Sequence, residues 1–262
     1  MQTSRFDEFV QLLTQLPLET WEAAVTAEPE WKWMQPLSQA WKFGHFAALF
    51  VTLGLNDYQT KGKADVNYWP KVVPQIPRQP DPANPLQLID LLKPFYSKER
   101  FAQTKLERLE RFVRSDLCHK IWTSSSAAIA ADFKEIWQSL GRTMNQQPDK
   151  KTIAFAMKCL ALALLMVGET EFDFGTIPAP VNSRTRRISD RLGLPPSDDV
   201  TERQRWRTVL NQIRKSHPEI TIVHLDSLVW QIGTLSPREM EAHLRDLGAG
   251  SLATHISRLF SP

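Results

Sequence analysis

Apolar positions along this chain recur at three- and four-residue spacing, with no convincing run of alternation, so the pattern predicts helices and no strand. Phe6, Phe9, Val10 and Leu13 form one such stripe, and Ser4 with Asp7 supplies a capping pair at its start. A second helix is predicted over 37–55, interrupted at Gly44. The next stretch, 70–85, carries Pro70, Pro74, Pro77, Pro80, Pro82 and Pro85, each lacking the N–H a helix requires, and reads as a surface connection. Further helices are predicted over 86–95 and 105–117, the latter with a charged outer face of Glu107, Arg108, Glu110 and Arg111. Phe133, Ile136, Trp137 and Leu140 share a face of another helix, which Gly141 is expected to end.

The segment from Leu140 to Lys150 reads as a polar hairpin, and 152–167 as a nearly all-apolar helix opened by Lys151. A proline-punctuated turn, Ile177-Pro178-Ala179-Pro180-Val181-Asn182, precedes a short helix bearing Arg184, Arg186, Arg187 and Arg191 that stops near Gly193. Trp206, Val209, Leu210 and Ile213 mark the buried stripe of the following helix. Ser236-Pro237-Arg238-Glu239 combines an N-cap serine, proline at the first helical position and a capping-box glutamate. The expected fold is all-α: one compact unit over 1–262 made of two helical lobes, with hairpin and lysine in a lobe near 100–195.

Composition narrows the class. With 262 residues, 42% hydrophobic and 23% charged, the chain is ordinary for a globular protein with a sizeable core. Two cysteines, Cys118 and Cys159, both in apolar helical contexts, argue against a disulfide framework and for a reducing cytoplasm. The first residues form no signal-peptide run, and the apolar stretch 153–167 is too short for a membrane span and contains Lys158, so a core helix is expected. A net charge of +3 permits a polyanionic partner without requiring one. Nine tryptophans offer stacking surfaces for bases, though most should fill the core. The six histidines lack metal-ligand spacing, and there is no cysteine cluster, phosphate-cradling glycine loop or serine elbow. No metal or cofactor is therefore expected, and nucleotide hydrolysis and acyl transfer lack support.

Four places remain for chemistry. Lys151 and Phe155 lie four apart and share a helix face; an amine at the positive end of a buried helix is pushed toward its neutral, nucleophilic form. The bland alternative is a solvated lysine beside Lys150. Asn182 precedes Ser183 and suits a helix cap, a position that can also face a ligand. Asp226 and Trp230, again four apart, pair a hydrogen-bonding carboxylate with a stacking plane, or else cap a helix and fill the core. Arg184, Arg186 and Arg187 near a helix start suit either phosphates or bulk water.

Taken in order, several stretches resemble the archaeal 8-oxoguanine DNA glycosylase/lyase family (AGOG), a divergent branch of the helix-hairpin-helix DNA glycosylases. They are Lys151-Thr152-Ile153-Ala154-Phe155-Ala156-Met157-Lys158, the turn from Ile177 to Asn182, and His224-Leu225-Asp226-Ser227-Leu228-Val229-Trp230. Upstream, Thr60-Lys61-Gly62-Lys63 with Tyr68-Trp69, and Glu28-Pro29-Glu30-Trp31, are similar to the family's glycine-containing turn with its tryptophan and to an early binding segment. The resemblance implies a monomeric enzyme on double-stranded DNA that flips a modified base into a pocket between its lobes. Lys151 falls on the Schiff-base lysine, which attacks the sugar C1′ and then cleaves the strand as an AP lyase. Phe155, Trp69 and Trp230 fall on aromatic pocket positions, Asp226 and Glu30 on base-contacting ones, and Arg142, Arg184 and Arg186 are expected on the DNA backbone.

Two departures shape the substrate expectation. Asn182 stands where the family has a catalytic aspartate, leaving Asp173 or Asp226 as candidate stand-ins. Glu30 replaces a glutamine, and an ionised carboxylate only accepts where an amide also donates. The family's substrate, 8-oxoguanine, is the default. The alternative is a hypermodified base such as glucosylated hydroxymethylcytosine in phage DNA, which would make this an antiviral defence enzyme. A further alternative is a catalytically inactive DNA-binding module.

Overall fold

The computed structural model describes residues 4–62, 64–172, 181 and 183–261, and all regular structure among them is helical. In chain order the helices are α1 (Arg5–Thr14), α2 (Leu18–Thr26), α3 (Pro29–Ser38), α4 (Phe43–Asn56), α5 (Ala64–Asn67) and α6 (Trp69–Val72). Then come α7 (Gln87–Tyr96), α8 (Ala102–Val113), α9 (Asp116–Thr123), α10 (Ser126–Ala131), α11 (Phe133–Thr143) and α12 (Lys151–Met166). The chain closes with α13 (Ser183–Arg191), α14 (Asp199–Ile213), α15 (Ile222–Ile232), α16 (Pro237–Asp246) and α17 (Leu252–Arg258). They divide into two compact units: one takes Met1–Glu28 with Pro178–Pro262, the other Pro29–Ile177. Hairpin and Lys151 share the second, which begins at Pro29 rather than near 100.

Two apolar helices organise the Pro29–Ile177 unit. Helix α4 is buried from Phe46 to Asn56 and α12 from Ile153 almost to its end, apart from Phe155, as expected for helices apolar nearly all round. Each large aliphatic or aromatic side chain buried this way contributes about 1.5–3 kcal/mol. Their backbones nearly touch: a Cβ on Gly54 would lie 2.9 Å from Ala156 Cα and 2.8 Å from Cys159 Sγ. The other end of α4 meets α9 equally tightly, since a Cβ on Gly44 would sit 2.3 Å from the Trp122 carbonyl oxygen. Gly44 is thus a close-approach residue inside a helix, not an interruption. The predicted 37–55 helix is two helices, α3 and α4, separated at 39–42.

Three more boundaries differ from expectation. The 105–117 segment breaks at Ser115, whose Oγ accepts from Cys118 N at 3.1 Å and starts α9. Arg108 lies inside, with Nη2 donating to the Leu55 carbonyl at 3.0 Å, rather than on a charged outer face. Helix α11 passes through Gly141 to Thr143, and the glycine lets the hairpin fold back, because a Cβ there would meet Gln146 O at 2.9 Å. Between 70 and 85 the prolines do not abolish structure at once: α6 and a 3-10 turn at Val73–Gln75 bury Val72, Val73 and Ile76 before the irregular stretch.

The other unit follows its predicted pattern closely. Ser4 caps α1 by accepting from Asp7 N at 3.1 Å, and Trp206, Val209, Leu210 and Ile213 are buried on α14. Ser236 and Glu239 form the capping box of α16. Helix α15 is the unit's core, packing on α2 and α13. It opens with a capping box in which Thr221 is the N-cap and His224 Nδ1 accepts from Thr221 N at 3.2 Å. Gln231 Nε2 donates to the Ala24 carbonyl at 2.6 Å, joining the two chain segments of this unit. Both cysteines are buried, neither forms a disulfide, and burial pushes the Cys118 thiol up to about 12. Among the described residues no helix is long and apolar enough to cross a membrane.

Candidate active site

Lys151 is the first residue of α12, and no side chain caps that end: Ile153 N and Ala154 N both donate to the Lys150 carbonyl at 2.9 Å. Lys151 is exposed, and burial on α12 begins only at Ile153. The desolvated amine expected from the sequence is therefore corrected to one that reaches solvent at the positive end of a buried helix. Phe155, one turn on, is half-buried. Ahead of Lys151 the hairpin is closed by Gln146 N donating to Gly141 O at 2.9 Å and by Trp137 Nε1 donating to Pro148 O at 2.9 Å. Beside it lies an open depression of about 680 Å³ lined by Trp137, Arg142, Asn145, Gln146 and Lys150. Arg142 is exposed but paired with Glu135 at 2.7 Å, and it belongs to α11 rather than to the hairpin.

A carboxyl that the sequence did not single out lies in the same unit. Asp57 follows the last residue of α4, and its Oδ2 accepts from Trp69 Nε1 at 3.0 Å. Burial raises this carboxyl to about 6, against the lowering effects of the Trp69 hydrogen bond and the Lys105 and Lys151 charges. Trp69 itself is fully buried, edge-on to Phe50 and Tyr68, so it supports Asp57 and presents no open face for a base.

Behind Asp57 the polar groups continue inward. Lys105 is completely buried, its Nζ 3.5 Å from Glu99 Oε2, 5.3 Å from the Tyr58 ring centroid and 5.8 Å from that of Tyr68. Desolvation lowers its pKa, opposed by the Glu99 carboxylate. The Tyr68 hydroxyl donates to Leu53 O at 2.8 Å, which leaves the Tyr96 hydroxyl as the donor in their 2.7 Å contact. A dry amine between aromatic rings thus exists in this molecule, at Lys105. Its sequence signal was the spacing Lys105, Arg108, Leu109 and Phe112, the buried stripe of α8.

The Met1–Glu28 and Pro178–Pro262 unit holds the remaining candidates. Asp226 is buried in mid-helix on α15, at 7% exposure, so it does not cap that helix; Thr221 does. Trp230 is half-buried, with the Arg184 Cζ 3.7 Å from its ring centroid and Arg184 Nη1 donating to the Trp230 carbonyl at 2.6 Å. Arg186 is ion-paired with Asp199 and also donates to the Ser197 carbonyl, while its neighbour Arg187 is exposed. Two of the expected phosphate ligands are thus engaged within the protein. Glu30 belongs to the other unit, buried at 5% exposure in the first turn of α3, where the helix field favours its charge. Asn182 and Asp173 lie outside the described residues. Among the described residues no group of three or more His, Cys, Asp or Glu is arranged to hold a metal ion.

Comparison with known proteins gives a consistent family. The AGOG family, described as N-glycosylase/DNA lyase, matches residues 10–256. An N-glycosylase/DNA lyase of Methanopyrus kandleri is 29% identical over 143 residues, which is 54% of this chain and 54% of that protein, so the match spans about half of the relative. The crystal structure of the 8-oxoguanine DNA glycosylase Pa-AGOG from Pyrobaculum aerophilum, complexed with 8-oxoguanosine, superposes with a TM-score of 0.70. That superposition covers 98% of this chain and 97% of the other at 17% identity, and it establishes the helix-hairpin-helix glycosylase fold.

Proposed function

This chain belongs to the AGOG family of N-glycosylase/DNA lyases, and from that membership we propose that it excises a modified base from double-stranded DNA with Lys151 as nucleophile. The observation that carries this reading is the Lys151 amine, open to solvent and one helical turn from the half-buried ring of Phe155. The amine attacks C1′ of the flipped nucleotide; the glycosidic bond breaks with its electron pair going to the base, and the enzyme is left joined to the sugar. Collapse to a Schiff base then permits elimination of the 3′ phosphate, the lyase step. On α13 the exposed Arg187 is the ligand for the DNA backbone, whereas Arg184 and Arg186 are held by partners within the protein.

The substrate is 8-oxoguanine by analogy with the relative of that name. A second reading rests on Glu30, a buried carboxyl that when ionised only accepts hydrogen bonds. It suits a base rich in donors, such as a hydroxyl-decorated cytosine of phage DNA, and a role in antiviral defence. Duplexes carrying 8-oxoguanine, hydroxymethylcytosine or its glucosylated form separate the two readings, with Lys151→Ala run in parallel. Release of one base that Lys151→Ala abolishes is the expected result. Undiminished release by Lys151→Ala refutes the nucleophile, and no release from any duplex points to the DNA-binding module instead.

A further inference from the structure

We infer that Asp57, held by Trp69 at the end of α4, is the carboxylate that takes the proton from Lys151 and so readies its amine for attack. This assignment rests on the reading of Lys151 as nucleophile.

Gly54 fixes where α4 crosses α12, because its missing side chain lets the backbone approach Ala156 and Cys159. Asp57 lies three residues beyond Gly54 and Lys151 five residues before Ala156. On α8, Arg108 donates to the Leu55 carbonyl at 3.0 Å and Arg111, one turn on, to the Met144 carbonyl ahead of Lys151 at 3.4 Å. Both therefore stand at the same end of the crossing, where the Lys151 charge favours the ionised Asp57. The carboxyl is also oriented. Trp69 Nε1 engages Oδ2 at 3.0 Å, and Trp69 is locked by full burial, so the acceptor does not depend on a mobile loop. A carboxylate accepts several hydrogen bonds, so the one from Trp69 leaves capacity for the ammonium.

The groups that face Asp57 set its behaviour: Trp69 on α6, Lys105 on α8, Lys151 on α12, Asp65 on α5, and the hydroxyls of Tyr68 and of Tyr96 on α7. Desolvation outweighs the cations, which leaves a carboxyl that titrates near 6 and is ionised, yet still basic, at neutral pH. In the step itself Asp57 receives one proton from the Lys151 ammonium. The freed nitrogen lone pair forms the N–C1′ bond while the C1′–base bond breaks, and its electron pair leaves with the base. Asp57 then returns its proton through water to the departing base, and the carboxylate is restored.

Asp57 acts through Lys151 and is a positioning residue, so the test must read protonation. Borohydride trapping on a duplex with an abasic site, followed from pH 5 to pH 8, isolates the amine chemistry from base recognition. Wild type should trap faster as pH rises, with a half-point near 6. Asp57→Asn, whose amide oxygen still accepts from Trp69, should lose that limb and slow trapping at pH 7 by about 10²-fold. Trp69→Phe removes a hydrogen bond that favours the ionised form, so its half-point should move above 6. Trapping by Lys151→Ala at the wild-type rate would sink the lysine reading. Loss of trapping in Lys151→Ala, with Asp57→Asn keeping wild-type rate and pH limb, would overturn Asp57 alone. Should Asp57→Asn fail to fold, an unshifted half-point in Trp69→Phe overturns it equally.

Discussion

Substituting alanine at Gly54 tests the helix crossing on which the site is built. Its new Cβ would lie 2.9 Å from Ala156 Cα and 2.8 Å from Cys159 Sγ, whereas carbon atoms in contact rest about 3.5–4.0 Å apart. The thiol can rotate away; the Ala156 backbone cannot. Helices α4 and α12 must then separate by roughly 0.6 Å or more, which for an overpacked core costs about 1–3 kcal/mol. Alanine gives back up to about 1 kcal/mol of helix propensity, leaving a net loss of about 1–2 kcal/mol. For a chain of this size that lowers Tm by roughly 2–8 °C. Calorimetry at fixed pH reads this directly, with urea unfolding as a check on two-state behaviour. Trapping of abasic DNA should slow by more than the stability loss explains, since the same separation draws Asp57 away from Lys151. A Tm equal to or above wild type would show that the two backbones are not in contact, and the placement of Asp57 would lose its foundation.

Three other outcomes follow from the geometry. Burial lowers His224 from 6.5 to about 4, so between those values the unfolded chain binds the extra proton and stability falls as pH drops through that window, by roughly 3 kcal/mol in all. His224→Gln, which keeps an acceptor for Thr221 N, should flatten urea midpoints measured from pH 7 to pH 4.5; an unchanged slope contradicts the buried neutral imidazole. Glu202→Ala strands the donors Ser189, Ser197, Trp206 and Arg205 in the α13–α14 region and should cost about 3–5 kcal/mol, read as a Tm drop of about 6 °C or more; a loss under about 1 kcal/mol refutes the network. Arg187→Ala should reduce the salt slope of DNA binding by about 1 while Arg186→Ala, already paired with Asp199, leaves it unchanged; the opposite order would show that Arg186 exchanges its partner for phosphate.

Helix caps and apolar stripes made much of the fold legible before any coordinates. Ser4, Ser236 with Glu239, and the Trp206 stripe are local signals, read from residues within one or two turns of each other. Lys151 as the opening residue of α12 was legible for the same reason. The depth at which a residue sits is a different matter. Arg108 belongs to a charge-rich helix face, and only the Leu55 carbonyl and the Tyr58 ring, about fifty residues earlier, give its guanidinium a reason to turn inward. Glycine misled twice: Gly44 and Gly141 suggested breaks, yet each lies within a helix where another segment comes too close for any side chain. Asp57 was invisible because an aspartate after an apolar helix is what an ordinary loop looks like. Trp69 gives it meaning from twelve residues away.

The split ancestry of one unit bears on how the molecule is made. Its first helices, carrying Phe9, Leu13 and Trp21, find their burial only when α14, α15 and α17 exist, and the bond from Gln231 to Ala24 closes across 207 residues. On the ribosome the stretch 29–177 can therefore collapse by itself while greasy segments at the front wait, unsheltered, for partners still untranslated. Misfolding of this protein should begin there, with orphaned early helices rather than with the lysine-bearing bundle.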